Sequence, residues 1–126
     1  KHKQLFVERT NQIIAEREKM RNALAELGFK VWDSATNFLM FTALPELAAK
    51  LSLFGKNEAL AAEEGTATKL AGQTVFRFLA NRKILARDFT RNAALEGGIR
   101  LTLGTPEENA IILETIKEVC KKAGGV

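Results

Sequence analysis

Two arginines carry the chemistry this sequence offers. Arg100 sits inside Gly98–Leu103, where Ile99, Leu101 and Leu103 alternate with Arg100 and Thr102. A strand of period two sends the three aliphatic side chains to one face and Arg100 to the other. Arg87 lies in Ile84-Leu85-Ala86-Arg87-Asp88-Phe89, a second strand-like run. A guanidinium presents a planar fork of donors that grips a carboxylate or a phosphate at two points, and a strand holds such a fork more firmly than a loop does. The pattern alone leaves a plainer reading open: an edge-strand arginine paired with a neighbouring carboxylate, for which Asp88 is at hand. Arg91, just beyond Phe89, reads as a solvated loop residue.

Other kinds of site find no support. His2 is the only histidine and Cys120 the only cysteine, far apart in the chain, so neither a Cys/His metal cluster nor a Ser-His or Cys-His nucleophile pair can be assembled. No metal site is expected, since carboxylates alone give no ligand pattern. Gly97-Gly98 and Gly104-Thr105 match neither a phosphate loop nor a dinucleotide fingerprint. The glutamates fall on helix faces, where solvation accounts for them.

The elements that must position the arginines are legible from periodicity. Phe6, Ile13, Met20, Leu24 and Leu27 recur at spacings of 7, 7, 4 and 3, one stripe of a long helix that is expected to pack into a core and to end at Gly28. Glu18 can meet Arg21 one turn on. Phe29–Trp32 reads as a strand, Asp33–Thr36 as a turn and Asn37–Thr42 as a second strand. Asn37 is taken as structural. The unalternating Phe38-Leu39-Met40-Phe41 calls for cover on both faces, by helices on one and by something else, such as another domain, on the other. Pro45 opens a helix that runs through Glu46–Leu53. The Ala/Gly/Thr/Glu-rich stretch Phe54–Gly72 reads as a connector with a helical turn near Glu58–Glu64. A helix over Gln73–Asn81 turns Val75, Phe76 and Leu79 inward. Thr105-Pro106-Glu107-Glu108 is a helix start, with Thr105 as N-cap, Pro106 at the first position and Glu108 closing a capping box. That last helix buries Ile112, Leu113, Ile116, Val119, Cys120 and Ala123, favours Lys121 and Lys122 at its end, and stops at Gly124. Cys120 on this stripe reads as a structural thiol. The sum is an α+β domain: a small, mainly antiparallel sheet of about four strands with helices packed on one face.

At 126 residues the chain is expected to form one domain, residues 1–126. An apolar fraction of 46% and a charged fraction of 27% are ordinary globular values, and no apolar run is long enough to cross a bilayer. The charge of +4 is mild, and the basic residues of the first helix alternate with glutamate, which suits a solvated face and not a nucleic-acid footprint. A lone cysteine excludes an internal disulfide, and the cytoplasm is the simplest compartment. No signal-peptide pattern opens the sequence, and a first residue other than Met suggests a chain cut from something longer.

Ile84–Phe89, followed by Gly98-Ile99-Arg100-Leu101-Thr102-Leu103-Gly104-Thr105-Pro106-Glu107-Glu108-Asn109, resembles the end of histidinol-phosphate aminotransferases, members of the fold-type-I pyridoxal-phosphate enzymes. Upstream, Glu16-Arg17-Glu18 through Leu27–Trp32 and then Ser34–Phe41 resembles the same family in the same order. The block from Gly98 to Asn109 is shared across class I/II aminotransferases, while Arg87-Asp88-Phe89 narrows the resemblance toward histidinol phosphate. One departure stands out: the family's link between the Asn37 strand and the helix before Ile84 is shorter, and residues 52–72 look like an insertion. The resemblance implies the C-terminal small domain of such an enzyme. It implies that Arg100 binds the substrate α-carboxylate and that Arg87 helps hold the substrate phosphate. It implies pyridoxal phosphate as the parent's cofactor, with the Schiff-base lysine, the pyridine-nitrogen aspartate and the phosphate cup on a large domain that this chain lacks. The chain by itself is then expected to hold no catalytic or cofactor-binding residue and to be inactive, and the parent to be a homodimer. Two alternatives stand beside this: a domain of another class I/II enzyme such as a threonine-phosphate decarboxylase, or a freestanding non-enzymatic α+β binding module. An excised domain should expose apolar surface where the module should not.

Overall fold

The computed structural model describes residues 2–32, 37–90 and 97–124, with side chains from Asn11 onward. The helices are α1 (His2–Leu27), α2 (Pro45–Asn57), α3 (Ala67–Asn81) and α4 (Pro106–Lys122). The strands are β1 (Phe29–Trp32), β2 (Phe38–Ala43), β3 (Ala86–Phe89) and β4 (Gly98–Thr102). The four strands form one sheet in the order β1-β2-β4-β3, every neighbouring pair antiparallel. This is the expected α+β arrangement.

The pleat divides the sheet into two unlike faces. Phe29 and Val31 of β1, Leu39 and Phe41 of β2, and Ile99 and Leu101 of β4 share the face that meets the helices. Leu39, Phe41 and Leu101 are wholly buried there, and the rings of Phe29 and Phe41 meet edge to face, 5.1 Å between centroids. Met20 and Leu24 of α1, Leu51 of α2, Val75 and Leu79 of α3, and Ile116, Val119 and Cys120 of α4 close the core above them. Each fully buried side chain of this size contributes roughly 1.5–3 kcal/mol of transfer free energy, so the helix-facing half of the sheet is where stability resides. The absence of alternation in Phe38–Phe41 resolves into two faces: Leu39 and Phe41 are buried, while Phe38 and Met40 are half-covered on the other side.

Several local expectations hold. α1 ends at Leu27 before Gly28 (φ +109°), and Arg21 Nε lies 3.9 Å from Glu18. Thr105 and Glu108 form a reciprocal capping box at the start of α4. Others need correction. Ile13 does not join the core; it is 43% exposed, as is Ile14. At about 1.5 Å per residue, the 26 residues of α1 span roughly 39 Å, longer than the short strands it crosses. The Phe6 side chain, the Asp33–Thr36 turn and Arg91 lie outside the described residues. β3 starts at Ala86, not Ile84, and Phe78 is buried on α3 while Phe76 is only half so.

Helix also occupies more of residues 54–72 than their composition suggests. α2 runs on to Asn57 and α3 begins at Ala67, capped by the Thr66 hydroxyl, which accepts from the Lys69 amide. No helical turn forms over Glu58–Glu64. Small residues that read as a loop signal are here a packing device. Gly55 is buried against Thr74, and a Cβ in its place would run into the threonine hydroxyl. That hydroxyl donates to the Leu70 and Leu51 carbonyls at 2.7 and 3.2 Å, tying α3 to α2. Close packing selected glycine where conformational freedom was not required.

Candidate functional site

The sheet face turned away from the helices carries the two arginines. Register places Trp32, Met40, Arg100 and Arg87 opposite one another across all four strands, on one lateral row of one face. Arg87 and Arg100 are directly paired positions of β3 and β4. Two guanidinium groups in that relation repel one another, and like charges directly opposite in a sheet are destabilising. The cost is below about 1 kcal/mol at an exposed edge strand, and the pairing sets two cations side by side.

Asp88 does not offset it. Alternation turns its side chain to the opposite face, where it pairs in register with Ile99, and its Oδ1 accepts from the Thr90 amide at 2.8 Å. The plainer reading of Arg87 or Arg100 as the partner of Asp88 is thereby removed. Among the described residues neither arginine is paired with a carboxylate. Arg100 is instead braced by aromatic rings, its guanidinium carbon 5.0 Å from the Phe38 centroid and 5.9 Å from that of Phe89. Each ring is two positions along its strand from the residue facing Arg100, the diagonal distance that aromatic side chains span. The rings restrict the guanidinium and claim none of its N–H donors, which leaves the fork available to an anion. Arg100 is half-buried; Arg87, on the edge strand, is exposed.

The frame behind Arg100 is stiff. Just before β4, Gly97 is pressed on by α3; a Cβ at Gly72 would lie 2.5 Å from the Gly97 carbonyl oxygen, so only glycine permits this approach. Past the other end of β4, the Leu103 amide donates to the Asn37 carbonyl at 2.6 Å. Asn109 then secures the turn into α4. Its Oδ1 accepts from the Gly104 amide at 2.8 Å, and its Nδ2 donates to Glu16 of α1 at 3.0 Å and to the Gly104 carbonyl at 3.3 Å.

A cleft of about 730 Å³ opens beside the arginines where β3, β4 and the first turns of α4 meet. Its polar lining includes Arg82, Lys83, Arg87, Arg100, Thr102 and Glu108, and Leu85 and Ile111 lie along it. Two of these charges are already committed. Arg82 donates two hydrogen bonds to Glu118, at 2.9 and 2.5 Å. The Glu108 carboxylate accepts from the Thr105 amide at 3.0 Å; that backbone hydrogen bond, followed by the one with the Thr105 side chain, holds its carboxyl below the usual range. Lys83, Arg87 and Arg100 remain as a cationic rim, and the arrangement suits an anionic ligand.

No group of three or more potential metal-ligating side chains occurs among the described residues. Sequence reasoning singled out both arginines, and the structure brings them together on one face. It missed Phe38 and Phe89 as the braces of Arg100, although both stand at even spacing from residues of the same row.

A profile of the family described as "Aminotransferase class I and II" matches residues 1–116. The chain belongs to the class I and II aminotransferase family. Among curated relatives, a histidinol-phosphate aminotransferase of Thermotoga sp. strain RQ2 is 28% identical over 116 residues, covering 92% of this chain and 26% of that protein. One from Brachyspira hyodysenteriae is 31% identical over 121 residues, 96% of this chain and 27% of the relative. Histidinol-phosphate aminotransferase 1 of Nostoc sp. is 32% identical over 108 residues, covering 86% and 24% respectively. The chain thus spans about a quarter of the length of the curated relatives it matches. Among the described residues no helix of this aminotransferase-family chain is long and apolar enough to cross a membrane.

Proposed function

We propose that this chain, as a single domain over residues 1–126, is the substrate-binding C-terminal small domain of a pyridoxal-phosphate-dependent aminotransferase acting on histidinol phosphate. The observation that carries the reading is the uncompensated pair, Arg87 facing Arg100 across β3 and β4 beside an anion-ready cleft. Histidinol-phosphate aminotransferases among the relatives support the choice of substrate.

Histidinol phosphate carries no carboxylate, so Arg100 takes the carboxylate of the oxo-acid acceptor and, beside Arg87, faces the phosphate of histidinol phosphate. Its braced guanidinium offers two parallel N–H donors, and a carboxylate held at two points can no longer rotate, so the bonds at the adjacent carbon are oriented before reaction. Arg87 helps hold the phosphate and selects phosphorylated donors over neutral ones. Pyridoxal phosphate supplies the electron sink for the substrate's α-carbon when it is bound. The residues of this chain do not fit the role of its anchor. A Schiff-base lysine requires a desolvated amine, whereas the described lysines are exposed, apart from a half-exposed Lys69 on the first turn of α3. The cofactor is therefore assigned to a large domain outside this chain, in a cytoplasmic parent that works as a homodimer, and the 126 residues alone are inactive.

Exposed apolar side chains support a covering partner. Leu85 is 90% exposed, and Leu53 and Ile111 are more than half exposed.

The test uses the full-length enzyme that carries this chain, loaded with pyridoxal phosphate and given histidinol phosphate without an oxo-acid, with the cofactor spectrum followed. Conversion in the wild type is expected. Arg100→Ala should lower kcat/KM by about two to three orders of magnitude for donors that carry a carboxylate or a phosphate, the usual effect of removing one side of a buried bidentate ion pair. Arg87→Ala should raise KM for histidinol phosphate about tenfold or more and leave histidinol unaffected. Conversion with a different amino acid only would move the substrate; no bound cofactor would overturn the reading.

A further inference from the structure

In the proposed reaction Arg100 meets two anions of different shape. One half brings the planar carboxylate of the oxo-acid acceptor, the other the tetrahedral phosphate of the donor. A carboxylate accepts a two-point grip only when its plane is aligned with that of the guanidinium. A phosphate monoester has three terminal oxygens and presents an acceptor pair from several directions. Arg87, directly opposite Arg100, gives the phosphate a second fork as well. The direction of the Arg100 fork therefore matters more to the carboxylate than to the phosphate.

Two rings fix that direction from opposite corners. Phe38 of β2 pairs with Thr102, two residues after Arg100, and Phe89 of β3 pairs with Gly98, two residues before it. The rings thus flank Arg100 from different neighbouring strands and from opposite ends of β4, their centroids 5.0 and 5.9 Å from the guanidinium carbon. All three residues are half-buried. Among the described residues no carboxylate forms an ion pair with Arg100, so no partner of opposite charge sets its orientation. An arginine without such a partner samples many rotamers. Aromatic faces on two sides remove most of them and leave every N–H donor unused.

We propose that Phe38 and Phe89 are positioning residues that align the Arg100 fork for the carboxylate half of the reaction and contribute little to the phosphate half. The inference rests on the proposed function and deepens it. Both rings act through Arg100, so their loss should divide the two half-reactions instead of slowing them alike.

The experiment follows each half-reaction separately in the full-length enzyme by the cofactor spectrum. Histidinol phosphate is added to the pyridoxal form, and pyruvate or 2-oxoglutarate to the pyridoxamine form. Phe38→Leu and Phe89→Leu keep apolar bulk and remove the ring face, whereas Phe38→Tyr and Phe89→Tyr keep the ring. Each leucine variant should lower kcat/KM for the 2-oxo acid by about two- to fivefold, and the double variant by about fivefold or more. The same variants should stay within about twofold of wild type toward histidinol phosphate, and the tyrosine variants should match wild type in both halves. Thermal midpoints measured alongside separate alignment from stability. Equal losses in both halves that follow the midpoint, or no loss in either, would overturn the positioning role and leave the proposed function standing. Conversion by histidinol phosphate in a wild type that neither 2-oxo acid reverses would overturn the inference alone. A wild type inert in both halves would remove the proposed function and the inference together.

Discussion

Arg100 and Cys120 show how differently one sheet treats its two sides. On the open face, a cation is braced by Phe38 and Phe89 with its donors unclaimed. On the helix side, Cys120 is 1% exposed, and burial alone pushes its thiol from 9.0 up to about 11. A thiol so placed stays protonated at neutral pH and reacts poorly, as expected of a structural residue. The raised value also sets a sign. The unfolded chain loses this proton near pH 9 while the folded one keeps it, so the contribution to stability is complete below pH 9. It is lost as pH rises toward 11, by at most about 2 kcal/mol. Denaturant melts of the wild type and Cys120→Ala should therefore differ by a steady margin below pH 9 and converge between pH 9 and 11. In native protein a thiol reagent should label Cys120 no faster than global unfolding allows.

Among the elements, the junction of β4 with α4 sets where Arg100 can be. The Thr105 cap and the Glu108 carboxylate fix the first turn of α4. Asn109, 3% exposed, bonds both polar groups of Gly104 and reaches back to Glu16 of α1. Thr105→Ala should cost about 1 kcal/mol, as loss of an N-cap usually does. Asn109→Ala should cost more, roughly 2 kcal/mol, because it removes the partner of both Gly104 polar groups and unties α1 from the same turn. Chemical denaturation checks both values and their order. Because hydrogen bonds lower the Glu108 carboxyl, the capping box is complete above pH 4.5 and is lost as pH falls through that lowered value. The wild type should accordingly lose more stability on acidification than Glu108→Gln does.

Across the whole molecule, burial is lopsided. The helices cover one face of the sheet, while Leu85 and Ile111 line a cleft with cationic neighbours, and Ile13 and Ile14 stand exposed on α1. Apolar groups left in water at several sites favour association with another surface. The isolated chain should self-associate as its concentration rises, read by sedimentation velocity. Leu85→Glu with Ile111→Glu should return it toward the monomer without lowering the unfolding midpoint by more than about a degree, since neither side chain is in the core. A strictly monomeric wild-type chain at high concentration would count against an interface on this face.

The sequence by itself determined whatever depends on neighbours a few residues away. Periods of two and of three to four residues separated strands from helices, the Thr105–Glu108 spacing marked a helix start, and alternation set Arg100 opposite Ile99, Leu101 and Leu103. Those signals are local because backbone hydrogen bonding and side-chain direction repeat along the chain. Only the tertiary structure decided that β3 lies beside β4 in the register that brings Arg87 to Arg100 and turns Asp88 away. Strand order and register follow from which faces are buried together, and no short window of sequence contains that information. The same holds for Gly55 and Gly72, which read as breakers until another element is seen pressing against them. It holds too for Ile13, whose periodicity matched a core stripe although the structure leaves it exposed.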